Sequence, residues 1–136
     1  MKRLFVLVLF SSCFFISLAK EQNRQPVRPD AVFLGNSITQ NWRNFHPDFL
    51  TLNNYVGKGI GGEVTSQMLN RFRQDVLGLE PCVVVILAGT NDIAQNQGYV
   101  THRQIMDNIA SMADLARFHN IRVILCSVLP AEMYLW

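Results

Sequence analysis

Three short polar motifs, each at the carboxyl end of an apolar run, carry the residues of this chain that could do chemistry. The motifs are Gly35-Asn36-Ser37, Gly59-Ile60-Gly61-Gly62 and Gly89-Thr90-Asn91-Asp92. They contain a serine hydroxyl, a backbone N–H that no side chain shields, and a carboxamide. Loops at the carboxyl ends of parallel strands converge on one crevice. A hydroxyl nucleophile beside two donors for an oxyanion supplies most of an ester-cleaving site.

Each motif also has an interpretation without chemistry. Ser37 or Thr39 could simply cap the helix that follows. The glycine-rich motif could be a turn that binds no ligand. Asn91 could form a local Asx turn, with Asp92 capping the next segment. Each interpretation suffices for one motif alone, whereas the three motifs in this order favour a shared site.

The segment from Gly57 to Gly62 also fits the G-x-G-x-x-G pattern of dinucleotide-binding loops, with Asp75 or Glu80 as the ribose partner. We reject this interpretation for two reasons. The pattern follows the second strand, whereas the fingerprint normally opens the fold. In addition, Asp75 lies within a predicted helix and not at the end of a strand.

Strands and helices alternate along the chain. The apolar runs predict strands at about 31–35, 52–56, 82–88 and 121–128, and helices near 39–50, 63–77 and 101–118. The run 83–87 is continuously apolar, which is typical of a parallel strand covered on both faces. Thr101 and Gln104 form a capping box at the start of the third helix. This order predicts right-handed βαβ units in an open α/β sheet.

The first nineteen residues resemble a secretory signal peptide, with a basic start, an apolar stretch and small residues before a cleavage point after Ala19. The apolar stretch is short for a membrane span. We therefore expect a secreted or periplasmic protein, and an N-terminal membrane anchor is the alternative. Cys13 as a lipoprotein cysteine is disfavoured because the apolar core continues beyond it. The predicted organisation is a signal peptide at 1–19, a linker at 20–29 and one domain at 30–136.

The charge and the cysteine content of the chain argue against nucleic-acid binding, a disulfide and a metal site. Of 12 basic and 10 acidic residues, two basic ones belong to the predicted signal peptide, so the remaining chain is close to neutral. Nucleic-acid binding therefore has no electrostatic support. Cys82 and Cys126 are expected to be buried apolar thiols, and a disulfide between them is disfavoured. Their spacing fits no metal site.

The three motifs together resemble the GDSL, or SGNH, hydrolase family over residues 30–130. The nearest branch is the one similar to the catalytic subunit of platelet-activating-factor acetylhydrolase. The resemblance implies a flavodoxin-like three-layer α/β/α sandwich with a parallel sheet, and neither a metal nor an organic cofactor. It implies Ser37 as nucleophile, with Gly62 and Asn91 as oxyanion donors. The family includes lysophospholipases, acyl thioesterases and carbohydrate acetylesterases, so the implied substrate is a small ester such as an acylated carbohydrate or lipid.

The sequence departs from the family pattern in three places. Asn36 replaces the usual aspartate before the nucleophile, and Gly57 stands where an asparagine is common. The family also supplies its acid and base from a late D-x-x-H motif, and no aspartate from residue 30 onward has a histidine three positions later. His46, His102 and His119 are expected at solvated helix ends.

We therefore expect a chain that lacks the last strand and helix of the family fold. As it stands, such a chain would have little esterase activity, because its histidine and aspartate would lie beyond Trp136. The alternative is a pseudoenzyme that binds a glycan or another ligand on the same fold without turnover. The residues leave the oligomeric state open.

Overall fold

The computed structural model of the protein describes residues 28–130. The predicted signal peptide at 1–19 and all but the last two residues of the predicted linker lie outside this range. Within 28–130, no helix has the length and apolar character needed to cross a membrane.

Four parallel strands form one sheet in the order β2-β1-β3-β4. The strands are β1 (Ala31–Gly35), β2 (Tyr55–Gly59), β3 (Val83–Leu87) and β4 (Arg122–Leu125). In this register Val32 at the centre of the sheet pairs with Val56 on one side and Val84 on the other. The predicted parallel α/β sheet is therefore confirmed.

The helices lie between the strands, as βαβ connections require. They are α1 (Ser37–Phe45), α2 (Pro47–Leu52), α3 (Thr65–Asp75), α4 (Thr90–Ile93) and α5 (His102–Phe118), with a 3₁₀ turn at Leu77–Leu79. The capping box at the start of α5 is confirmed, since the Gln104 side chain accepts from the Thr101 N–H at 2.9 Å. The Thr101 hydroxyl in turn accepts from the Gln104 N–H at 3.2 Å.

Three predicted boundaries were wrong. The helix expected at 39–50 is two helices, because Pro47 lacks an N–H and begins a new helix after the non-helical residue His46. Since α2 continues to Leu52, β2 begins three residues later than predicted. The fourth strand ends at Leu125 and not at 128.

One face of the sheet carries the main core. Side chains from β1 and β3 that point to this face pack against α3 and α5. The fully or nearly fully buried members are Val32, Leu34, Met68, Phe72, Val76, Val84, Ile86, Met112 and Ala116. The alternation of buried and partly buried residues in β3 shows that this face is the more completely covered one.

The opposite face is covered over only half its width by the described residues. There, Phe33 and Tyr55 from the sheet pack against Trp42 of α1 and Phe49 of α2, with ring centroids 5.0–6.4 Å apart. Over β3 and β4 the same face forms an open hollow of about 360 Å³. In that hollow Ile124 is 44% exposed. Among residues 28–130, the second helical layer thus covers β1 and β2 alone.

The expectation of buried thiols was wrong. Cys82 and Cys126 are both exposed and both free. Each lies one residue outside its strand, Cys82 before β3 and Cys126 after β4. Within the described chain β4 is also the edge of the sheet, so nothing covers Cys126 from that side.

A buried carboxylate joins the loop after β3 to the start of α3. Both Asp92 oxygens accept from the Thr65 N–H, at 3.1 and 2.9 Å, and Oδ1 accepts from the Thr65 hydroxyl at 2.6 Å. Asn108 of α5 donates to the same hydroxyl at 3.0 Å. Asp92 is 3% exposed and Thr65 is fully buried. One polar cluster therefore connects α3, α4 and α5.

We expect Thr65→Val to lower the free energy of unfolding by about 1–3 kcal/mol, because it leaves part of the buried Asp92 carboxylate without a donor. Valine keeps the shape of threonine and removes only the hydroxyl. The control is Ser66→Ala at the next, exposed position of α3, where little change is expected. Urea unfolding of both variants measures the difference, and equal stabilities would show that the hydroxyl contributes nothing.

Candidate active site

Ser37 is the first residue of α1 and lies two residues after β1. Asn36, and not Ser37 or Thr39, caps this helix, since its Oδ1 accepts from the Ile38 N–H at 3.0 Å. Asn36 is 1% exposed, whereas Ser37 is partly exposed. Among residues 28–130, no side chain forms a hydrogen bond with the Ser37 hydroxyl. The serine is therefore not needed as a cap.

The glycine motif lies beside Ser37 because α1 approaches the end of β2 closely. A Cβ at Gly59 would lie 2.6 Å from the Thr39 carbonyl carbon, so only glycine permits this contact. A Cβ at Gly61 would lie 3.9 Å from Ser37 Cβ. Gly62 is exposed with φ +76°, and its surroundings would leave room for a side chain. Glycine at 62 thus serves backbone conformation and leaves the N–H unshielded.

The strand boundaries also argue against a dinucleotide loop. Gly57 and Gly59, the first two glycines of the pattern, belong to β2 itself and not to a turn before a helix. Asp75 is the last residue of α3, in agreement with its predicted helical position.

Asn91 lies in α4, four residues after the end of β3, and is 5% exposed. Its Nδ2 donates to the Glu63 carbonyl oxygen at 2.8 Å. A carboxamide nitrogen carries two N–H groups, so this bond leaves one for another acceptor. The local alternative is not observed, because Asp92 caps the earlier helix α3 and not the segment that follows. Asn91 is therefore held against the residue after Gly62.

Ser37, Gly62 and Asn91 thus follow three neighbouring strands at one edge of the sheet. Ser37 adjoins Gly61, and Asn91 is bonded to Glu63, so the glycine motif lies between the other two. The arrangement brings a hydroxyl, a free backbone N–H and a carboxamide together at the carboxyl ends of three neighbouring strands. Acyl transfer requires such a set of groups.

Arg71 forms a charged cluster behind these loops that the sequence analysis did not identify. Its guanidinium binds both carboxylate oxygens of Glu63, with Nε at 3.0 and 2.8 Å, and Asp75 at 2.6 Å. Nη2 also donates to the carbonyl oxygens of Lys58 at 2.9 Å and Gly35 at 3.3 Å. Lys58 in turn lies 3.2 Å from Asp75. The one available signal was the i, i+4 spacing of Arg71 and Asp75 on α3.

Burial of Asp75 tends to raise the pKa of its carboxyl group. Hydrogen bonds from Arg71 and Lys58 and their positive charges outweigh that effect and hold the pKa below its ordinary value of 3.8. The side chains of Arg71, Glu63 and Asp75 are only 13–14% exposed. The cluster is therefore largely shielded from solvent.

The three histidines lie where the sequence analysis placed them. His46 joins α1 to α2, His102 begins α5 and His119 ends it, and all three are exposed. His102 also lines an apolar groove of about 350 Å³ that opens between α5 and the end of β4. Gly89 and Ile93 line the same groove, so it lies beside the loop that carries Asn91. The described residues contain no cluster of three metal-ligating side chains.

The family profile of GDSL-like lipases and acylhydrolases matches residues 33–136. The chain belongs to this family. A solved GDSL-like lipase from Bacteroides thetaiotaomicron is 48% identical, with a TM-score of 0.78, and the match covers 88% of this chain and 60% of that one. A solved acetyl xylan esterase is 25% identical, with a TM-score of 0.62 over 71% of this chain and 56% of that one.

A third relative is an uncharacterized lipoprotein of Bacillus subtilis. It is 33% identical over 78 residues, which cover 55% of this chain and 32% of that protein. The chain therefore spans at most three fifths of the length of these relatives. The predicted family and the α/β fold of its members are confirmed.

The charged cluster predicts a pH-dependent stability. Because the folded-state pKa of Asp75 lies below 3.8, its carboxylate stabilises the fold above that value, and the contribution is lost as the pH falls through the folded-state pKa. We expect Asp75→Asn to lower the free energy of unfolding at pH 7 by about 1.5–3 kcal/mol, the range typical of hydrogen bonds to charged groups. The difference from wild type should shrink below pH 4.

Urea unfolding at a series of pH values measures this difference. The control is Asp114→Asn, since Asp114 forms an exposed pair with Arg117 at 3.8 Å. An exposed pair contributes little, so this variant should unfold like wild type at every pH. A pH-independent loss for Asp75→Asn would contradict the assignment.

Proposed function

We propose that this family domain hydrolyses carboxylic esters, with Ser37 as the nucleophile. Ser37 Oγ gives its proton to the general base and attacks the ester carbonyl carbon, and the tetrahedral intermediate expels the alcohol, which takes up that proton. Water then hydrolyses the acyl-enzyme, which releases the carboxylic acid and regenerates Ser37. The N–H groups of Ser37 and Gly62 and the free amide N–H of Asn91 hold the oxyanion of each tetrahedral intermediate. The supporting observation is the placement of these residues on three neighbouring loops, with Asn91 bonded beside Gly62.

We assign the general base to a histidine outside residues 1–136, oriented by an aspartate three positions before it. Two observations support this assignment. No aspartate from residue 30 onward is followed by histidine at that spacing. The chain also covers only 60% of the solved lipase and 56% of the solved acetyl xylan esterase.

We propose as substrate a small ester, namely a short acyl group on a carbohydrate or lipid. The apolar groove beside Gly89 and Ile93 would accept the apolar part of such an ester. The similarity to an acetyl xylan esterase favours the carbohydrate, and the similarity to a GDSL-like lipase favours the lipid. Neither a metal nor an organic cofactor enters this mechanism.

The proposed location is outside the cytoplasm, by secretion or periplasmic export after removal of residues 1–19. The Bacillus subtilis relative is a lipoprotein, which supports export. Anchoring by the N-terminal segment is the alternative.

A non-catalytic pseudoenzyme that binds a glycan or another ligand is the second candidate function. The missing Asp-x-x-His pattern in residues 1–136 favours it. The hydrolase cleaves esters and the pseudoenzyme does not. The test is therefore to assay ester cleavage by the product of the complete natural reading frame and by the 136-residue chain. Ser37-dependent ester cleavage by the longer product supports the hydrolase, and binding without cleavage supports the pseudoenzyme.

The oxyanion assignment is tested by Asn91→Ala in the product of the complete natural reading frame. We expect kcat on p-nitrophenyl acetate to fall about 10²–10³-fold, with a much smaller change in KM, because the donor matters most once charge develops. Ser37→Ala should abolish labelling by a fluorophosphonate probe, whereas Asn91→Ala should only slow it.

The matched control is Asn70→Ala on the exposed surface of α3, which should retain wild-type kcat. Wild-type kcat in Asn91→Ala would show that the asparagine is not an oxyanion donor. Labelling that persists in Ser37→Ala would place the nucleophile elsewhere.

A further inference from the structure

We propose that Arg71, acting through Glu63, is a positioning residue that fixes the two oxyanion donors Gly62 and Asn91. This inference rests on the proposed hydrolase function of the site. Arg71 belongs to α3, and none of its hydrogen bonds is to Gly62 or Asn91. Arg71 is connected to the two donors through hydrogen bonds that Glu63 makes with Arg71 and with Asn91.

Glu63 makes the connection because its side chain and its backbone have different partners. Its carboxylate binds the Arg71 guanidinium through both oxygens, with a shortest contact of 2.6 Å. Its carbonyl oxygen accepts from Asn91 Nδ2 at 2.8 Å. Glu63 also follows Gly62 directly in the chain. Fixing the Glu63 side chain therefore restricts both donors at once.

Arg71 is itself fixed from several directions. Nη1 binds Asp75 on the same helix, and Nη2 donates to the carbonyl oxygens of Gly35 and Lys58. Gly35 ends β1, two residues before Ser37, and Lys58 lies near the end of β2. The guanidinium thus ties the ends of two strands to the loop that follows the second one. A planar fork with five N–H donors can make this set of bonds, and a lysine ammonium cannot.

Net stability alone does not explain why the ion pair between Arg71 and Glu63 is almost buried. The side chains of Arg71 and Glu63 are only 13–14% exposed, and taking two charges out of water is costly. Such a pair adds little net stability compared with apolar packing, but it restricts the geometry of the groups it joins. Here those groups include the backbone between Gly62 and Glu63. We therefore assign the pair a role in the geometry of the oxyanion site.

The first test is Arg71→Lys in the product of the complete natural reading frame. A displacement of the donors by about 1 Å should lower kcat roughly 10²-fold, while KM changes much less. Glu63→Ala should lower kcat similarly. Glu63→Gln should have a higher kcat than Glu63→Ala, because the side-chain amide oxygen of glutamine can still accept a hydrogen bond from Arg71. Arg73→Lys, at an exposed position of the same helix, should leave kcat and KM at wild-type values.

The second test detects a change in the environment of the Asn91 side chain by NMR and does not depend on enzyme activity. The side-chain amide signals of Asn91 in a ¹H–¹⁵N spectrum are identified by their loss in Asn91→Ala. We expect these signals to shift in Arg71→Lys and Glu63→Ala, and to stay in place in Arg73→Lys. All measurements are made where urea unfolding shows each variant to be fully folded. If Arg71→Lys does not fold, Glu63→Gln, compared with wild type, provides both readouts.

The proposal requires both changes, so unaltered kcat or unaltered Asn91 signals in a folded Arg71→Lys protein overturns it. Glu63→Gln keeps the volume of the side chain and removes its charge, so the loss of kcat that remains in Glu63→Gln measures the charged contact with Arg71, and the further loss in Glu63→Ala measures the rest of the side chain. The two proposals fail in different ways. If the wild-type protein has no turnover that Ser37→Ala abolishes, the hydrolase function is wrong, and the Asn91 signals alone decide whether Arg71 positions that residue.

Discussion

The Asp92 carboxylate at the start of α3 is the constraint on which the other parts of this structure depend. A buried charge is stable only with donors around it, and the Thr65 N–H and hydroxyl supply them. The position is favourable because the N-terminal end of a helix carries partial positive charge. Asp92 belongs to α4 and is adjacent to Asn91, so its hydrogen bonds to Thr65 at the start of α3 also hold α4 in place. A hydrogen bond from α5 through Asn108 completes the cluster.

The site therefore has two polar supports on opposite sides of the glycine motif. Asp92 holds the loop after β3, and Arg71 holds the loop after β2. Both supports use α3, which lies on the well-packed face of the sheet through Met68 and Phe72. Ser37 depends instead on α1 and on the close contact at Gly59. Ser37 and the two other proposed donors, Gly62 and Asn91, are thus positioned by different helices, which meet at the glycine motif.

The sequence predicted those parts of the fold whose signals are local. The continuous apolar run of β3 and the capping box at Thr101 each depend on neighbouring residues, and both were confirmed. Side-chain pairs between distant segments leave no such signal, and the bond between Asn91 and Glu63 was therefore not predicted. Charged residues on an amphipathic helix normally face solvent. For that reason the helical pattern gives no sign that strand carbonyls and two carboxylates surround Arg71.

The central position of β1 affects how the chain can fold as it is synthesised. β1 pairs with β2, which follows it closely, and with β3, which comes much later in the sequence. During synthesis, β1 can therefore pair with β2 on one side before β3 has been made to pair with it on the other side. Parallel pairing across long separations is slow, and unpaired apolar strands promote aggregation. Between the emergence of β2 and the emergence of β3, one side of β1 is therefore an unpaired apolar strand edge, which favours aggregation at that stage.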